Sequence, residues 1–311
     1  MSSKIRKLDI KGCAKLFGAT QKEITDTCGT ILSAEDFRFV VIDKEEEEKT
    51  LLEVMKTIDS PLSISGKNRQ NDWENGWAEN LQAFIKSNYD LSSLTPKYMH
   101  KFNVRRLFSR YIRPLDSNFE VNFYTAYRHF LFKKYLSNYE HLYEFGCGTG
   151  YNLVIMAQIF PHKNITGLDW ATSSTHLVNA IASQYGYRLK GRRFDFFNPD
   201  YSLEVADNSA FITLNSLEQL GNDHDKFIEF ILHKRPEICI NSEPILELYD
   251  QNNLFDYLAS KYHNKRNYLN NYLSALKKYE HEGVIEILKV QRVHSGNIFH
   301  DAYSYIIWKV K

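Results

Sequence analysis

In the second half of the chain, short apolar runs alternate with stretches in which apolar residues recur every three or four positions. His141–Phe145, Asn164–Asp169, Ser209–Asn215 and Glu237–Pro244 read as buried strands, and Tyr151–Phe160 as the helix behind the first of them. Strand and helix in alternation predict an α/β domain on a mostly parallel sheet. Two further strand-like runs, Val284–Val293 and Tyr303–Val310, are joined by the short segment Ser295–Ala302. Residues 1 to 130 carry a different pattern and predict a mainly helical cap with one strand, Phe37–Asp43, leaving 131–311 as the α/β domain. Within the cap, Lys44–Lys49 reads as a solvated helix start, Lys15–Ile24 faintly resembles a helix-turn-helix, and Ser65–Asn71 is a polar loop. Trp73 and Trp77 then open a helix and read as core aromatics, while Asn122–Phe132 leads into the α/β domain.

The turn after the first strand of the domain reads Glu144-Phe-Gly146-Cys147-Gly148-Thr149-Gly150. Glycine suits a turn whose backbone takes positive φ and lets a ligand approach closer than a Cβ would allow. A dinucleotide-binding turn needs a glycine at the sixth position counted from Gly146, and Tyr151 stands there. The segment resembles instead the first motif of the class I S-adenosylmethionine-dependent methyltransferases, Glu/Asp-x-Gly-x-Gly-x-Gly. That resemblance covers about residues 130–311 and implies a doubly wound seven-stranded sheet, mostly parallel, with S-adenosyl-L-methionine as cofactor.

What the resemblance implies for the site follows strand by strand. Glu144, Gly146, Cys147, Gly148, Thr149, Gly150 and Asn152 would cradle the methionine part of the cofactor. Asp169 would take the ribose hydroxyls, since a carboxylate can accept from both. Trp170 and Phe196 would lie against the adenine, and Asp195 would meet its amino group. Asn215, Tyr124 and Arg128 are further candidate contacts. If the acceptor is a hydroxyl, its proton needs a base, and His300, Glu218 and Glu243 are the residues placed to supply one. His263 and Arg266, one helical turn apart, could face an acidic or hydroxylated acceptor or simply be exposed.

Composition narrows the partner. Lys plus Arg is 39 against 38 for Asp plus Glu, so no global charge draws the chain to nucleic acid or anionic lipid. The basic clusters from Arg105 to Arg113 and from Lys190 to Arg193 read as solvated faces. Asn215-Ser-Leu-Glu218 is not the Asn/Asp-Pro-Pro-Tyr/Phe sequence of enzymes that methylate exocyclic base nitrogens. Cys13, Cys28, Cys147 and Cys239 include no Cys-x-x-Cys pair, which fits a reduced, cytoplasmic protein without a zinc site. The first residues are too charged for a signal peptide, and no apolar run approaches the length of about 20 residues needed to span a bilayer. The paired-aspartate pattern of metal-dependent members is missing, so a metal-free reaction is expected. O-methylation of a small or saccharide-like acceptor fits best; a protein or RNA acceptor, or a scaffold that holds cofactor without catalysis, are the alternatives.

Overall fold

The computed structural model describes residues 4–96, 99 and 101–311. From the amino end, β1 (Arg6–Lys7), α1 (Ile10–Phe17), α2 (Gln21–Ala34), β2 (Arg38–Val41), α3 (Lys44–Asp59) and α4 (Gln70–Lys86) precede a hairpin of β3 (Arg105–Leu107) and β4 (Arg110–Pro114). The glycine turn of Lys15–Ile24 is the left-handed cap Gly18, and Thr20 with Glu23 forms a capping box that opens α2. The long helix α5 (Phe119–Tyr135) straddles the expected boundary near residue 130. Phe17 of α1 packs among Phe123, Tyr127 and Phe130 of that helix, which ties the amino-terminal helices to the rest of the chain.

Then follow β5 (His141–Phe145), α6 (Tyr151–Ile159), β6 (Asn164–Asp169), α7 (Thr172–Tyr185), β7 (Leu189–Arg193), β8 (Ser209–Leu214), α8 (Asp225–Lys234) and β9 (Ile238–Ser242). The chain ends with α9 (Leu254–Arg266), α10 (Tyr272–His281), β10 (Ile285–Gln291), β11 (Ser295–Gly296) and β12 (Tyr305–Val310). Seven strands form one sheet in the order β10-β12-β9-β8-β5-β6-β7. All neighbours from β9 to β7 are parallel, and β12 runs antiparallel to both β9 and β10. Every residue of β8 and β9 is buried, as strands covered by helices on both faces must be. Strand order reverses at β5, which opens a crevice at the carboxyl ends of β5, β6 and β8.

The amino-terminal region contains more β-structure than its sequence suggests. Besides β2, the expected strand, it holds β1 and the β3–β4 hairpin, and β11 from the far end of the chain completes a five-stranded sheet β1-β2-β4-β3-β11. Nor are Arg105 and Arg106 a solvated basic face. Arg105 is buried against Glu120 at 2.5 Å, and Arg106 reaches Asp256 at 3.2 Å and Asp301 at 3.1 Å. Arg292 bonds to the same two aspartates at 2.6 and 2.8 Å, so the four side chains join the small sheet, α9 and the segment before β12. Removing one member of a buried ion network leaves an uncompensated charge. Arg106→Met should therefore cost about 3 kcal/mol of unfolding free energy. Urea denaturation checks this, and an unchanged midpoint would refute it.

Candidate functional site

The glycine turn leaves β5 with its backbone in the left-handed region, φ being +73° at Gly146 and +52° at Gly148. A Cβ on Gly146 would stand 2.3 Å from Cβ of Ser216, and one on Gly148 would stand 3.0 Å from the Trp77 ring. The amides of Gly146 and Cys147 both donate to the Leu168 carbonyl, at 2.6 and 3.0 Å. Thr149 donates its hydroxyl to the Leu94 carbonyl at 3.0 Å, and Gly150 packs against Ile181 and Val178 of α7. Cys147 is buried and its thiol pushed well up by burial, so it fills space and is no nucleophile.

Asp169 at the end of β6 is buried. Its Oδ2 accepts from the Gly148 amide and its Oδ1 from the Ala171 amide, both at 2.9 Å. Burial raises its pKa to about 6, against the pull of those amides. Beside it, Trp170, Phe196 and Phe197 line a small cavity of about 80 Å³ together with Gly146 and Asn215. Asp195 does not line it. Its carboxylate accepts from the Phe197 amide at 2.9 Å and stabilises its own turn, so the aromatic wall, and not Asp195, lines this cavity.

A second, larger cavity of about 360 Å³ runs on from Gly146–Thr149 to Glu218 and His300. At its glycine end the Tyr124 hydroxyl and Arg128 both donate to Asn152 Oδ1 at 3.1 Å, and Asn152 donates in turn to Glu144 Oε1 at 2.7 Å. Tyr124 and Asn152 line the cavity; Glu144 lies behind them, fully buried, and its Oε2 has no partner among the described residues. Burial raises the Glu144 pKa to about 8. Glu144 therefore meets the cavity only through Asn152.

Of the three expected bases, Glu218 and His300 line this cavity and Glu243 does not. Glu243 is fully buried and accepts from the amides of Ser216 at 3.2 Å and Glu218 at 3.3 Å, which makes it the anchor of the turn that carries Glu218. Burial, helped by the Glu218 charge, raises it to about 8. Glu218 itself is raised to about 7 by burial, with Gln219 and Arg266 acting in the opposite sense. Burial holds His300 well below the usual range, so its ring is neutral; its Nδ1 lies 2.9 Å from Nε2 of the equally buried His263. Asp301, adjacent in sequence, pairs with the arginines and not with His300. Asn215, at φ +54°, donates to the Ala302 carbonyl at 2.8 Å and lines both cavities.

Trp73 and Trp77 are not core. They stack at 5.2 Å and line both cavities, while Glu74 between them accepts from the Thr172 and Ser173 amides at 2.6 and 2.8 Å and docks α4 on the start of α7. Their spacing of four residues puts both rings on one helix face, the signal that identifies them as a pair. Glu120 also went unmarked by sequence; it lines the larger cavity, and burial raises it to about 7 against the charge of Arg105. Among the described residues no group of three His, Cys, Asp or Glu side chains could hold a metal ion, and no helix is long and apolar enough to cross a membrane.

The central domain of a family of unknown function, DUF5382, matches residues 207–311. No curated protein matches the chain in sequence. Among solved structures, the 4+2 cyclase SpnF is similar with a TM-score of 0.52 and 13% identity, over 81% of this chain and 97% of that one. The chain has the class I methyltransferase fold. TnmH is similar with a TM-score of 0.45 and 17% identity over 62% of this chain and 58% of its own, and a geranyl diphosphate methyltransferase solved with SAM with 0.45 and 13% over 64% and 92%. The match thus spans less than two thirds of TnmH. At such identities the likeness is one of fold, and a fold can carry more than one chemistry.

Proposed function

We propose that the chain is an S-adenosylmethionine-dependent O-methyltransferase for a small or saccharide-like hydroxylated acceptor. The observation that carries this reading is a single cavity lined both by the glycine turn and by Glu218 and His300. The residues present fit the cofactor: a cradle that a Cβ would fill at Gly146, a buried carboxylate at Asp169, and an aromatic wall of Trp170 and Phe196. Bound there, S-adenosylmethionine would supply a methyl group activated by its sulfonium. Asp169 would accept from the ribose hydroxyls, and Trp73 and Trp77 would exclude water from above the turn. Glu218 would take the acceptor's proton, since a base titrating near 7 matches the working pH better than a ring held far below it. His300 would then hold the acceptor by hydrogen bonding through its outer nitrogen. The region before about residue 130 would act as the cap that sets specificity, and four free, buried cysteines suit a reducing, cytoplasmic setting.

Calorimetry with S-adenosylhomocysteine tests the cofactor half. Binding is expected, and Asp169→Asn should weaken it about 10- to 100-fold, because one charged acceptor is replaced by a group that is half donor. Unaltered affinity in that variant would remove the ribose assignment. A second reading, a site that holds the cofactor for a different reaction, draws on the similarity to a cyclase. Mass spectrometry separates the two: methyl transfer adds one methyl to the product, whereas a cyclisation leaves the mass unchanged.

A further inference from the structure

Three cationic side chains from three separate segments meet the larger cavity: Arg69 ahead of α4, Lys101, and Arg266 at the end of α9. The acids that share its wall do not balance them. Glu120 is taken by Arg105 at 2.5 Å, and burial keeps Glu218 partly protonated near neutral pH. Arg69 gives one nitrogen to the exposed Asp72, yet among the described residues its Nη1 is buried without a partner, as is Nε of Arg266, whose guanidinium otherwise bonds the Tyr268 side chain. A buried donor left unmade costs about 1–3 kcal/mol, which an acceptor atom on a ligand would recover. Arg266 stands at the Glu218–His300 end, close enough for its charge to act on both. The walls there are flat rings: Tyr262 stacks on Phe299 at 4.5 Å and 9°, and Tyr268 lies 5.8 Å from His300.

We propose that the part of the cavity beside Glu218 and His300 takes an aromatic acid, with Arg266 holding its carboxylate or phosphate and the tyrosine and phenylalanine rings its flat body. A guanidinium fork matches either anion through paired hydrogen bonds, which a hydroxyl alone would not require. The inference rests on reading the cavity as an acceptor site, and it narrows the acceptor from any hydroxyl compound to one that carries an anionic group.

The test uses three probes on the full chain, 3-hydroxybenzoate, phenyl phosphate and the neutral 3-hydroxybenzamide, titrated calorimetrically with and without S-adenosylhomocysteine. At least one acid should bind tenfold or more tighter than the amide, and whichever acid is tighter identifies the anion. Arg266→Gln should erase that preference, Arg266→Lys should retain part of it, and S-adenosylhomocysteine affinity should stay within about twofold in both, since the guanidinium is assigned to the acceptor. Equal binding of acid and amide, no binding of either acid at millimolar concentration, or a preference that survives Arg266→Gln would overturn the proposal. So would a tenfold loss of S-adenosylhomocysteine affinity in Arg266→Gln, which would place the guanidinium on the cofactor. If S-adenosylhomocysteine does not bind the wild-type chain, the methyl-transfer reading fails, and the ratio measured without it decides this inference separately.

Discussion

Gly146→Ala should weaken S-adenosylhomocysteine binding by about 100-fold or more. Two costs combine. A non-glycine residue at φ +73° pays about 1–2 kcal/mol for its backbone, and the new Cβ would lie 2.3 Å from Cβ of Ser216. Ser216 has little room to yield, because its hydroxyl donates to the Phe145 carbonyl at 2.8 Å and its amide to Glu243 at 3.2 Å. The turn must therefore open, breaking the 2.6 Å bond from the Gly146 amide to Leu168 and moving the wall shared by both cavities. Gly186→Ala is the control. It sits at φ +65° with nothing within 4 Å of its Cβ, so it should lose about 1 kcal/mol of stability and leave cofactor affinity intact. Equal affinity for Gly146→Ala and wild type in calorimetry would show that the turn is not the cofactor cradle.

The same residues explain why this part of the molecule is legible in the sequence. A turn that tolerates no side chain leaves glycines at fixed spacing, and a parallel strand buried on both faces leaves an unbroken apolar run such as Ser209–Leu214. Position along a strand is likewise legible, since Asp169 and Asn215 come to the crevice as expected. Direction at a strand end is harder to read. Glu243 lies just past β9, but its carboxylate turns inward to hold two amides, and Asp195 closes its own turn. Both choices are set by which backbone amides lack partners nearby, a property of the folded loop and not of spacing. The small sheet escaped notice for another reason: β1, β3 and β11 have two or three residues each, too few to show a period, and β11 finds β3 only through tertiary structure. Trp73 and Trp77 looked like core because periodicity marks an apolar face without saying whether protein or ligand covers it.

Stability should fall by about 2–4 kcal/mol as pH rises from 6.5 to 8, opposite to the behaviour of a protein whose carboxylates are paired at its surface. Glu144 and Glu243 are the cause. Burial raises each to about 8, whereas in the unfolded chain each titrates at its ordinary value of 4.5. A carboxyl with a raised folded pKa contributes stability fully below its unfolded pKa and loses it as pH climbs toward the folded one, at up to about 1.4 kcal/mol per pH unit. Glu120 and Glu218, raised to about 7, add to the early part of the decline. Below pH 6.5 the histidines oppose this trend. His263, held at about 3, and His300, held well below 6.5, stay neutral in the fold while the unfolded chain takes up their protons, so acid withdraws stability through them. Between pH 6.5 and 8 the unfolded rings lose the protons they still hold at their ordinary value of 6.5, which offsets the decline by about 0.4 kcal/mol per ring and leaves the carboxyls to set the sign of the slope. Urea denaturation at pH 6.5 and pH 8 measures it, and a flat or rising stability would refute the burial assignments. Glu144→Gln separates the contributors: an amide keeps the acceptor for Asn152 Nδ2, carries no charge at any pH, and should remove about a third of the decline. Because Glu144 meets the cavity only through Asn152, that variant should still bind S-adenosylhomocysteine, whereas Asn152→Ala, which cuts the relay itself, should not bind it as tightly.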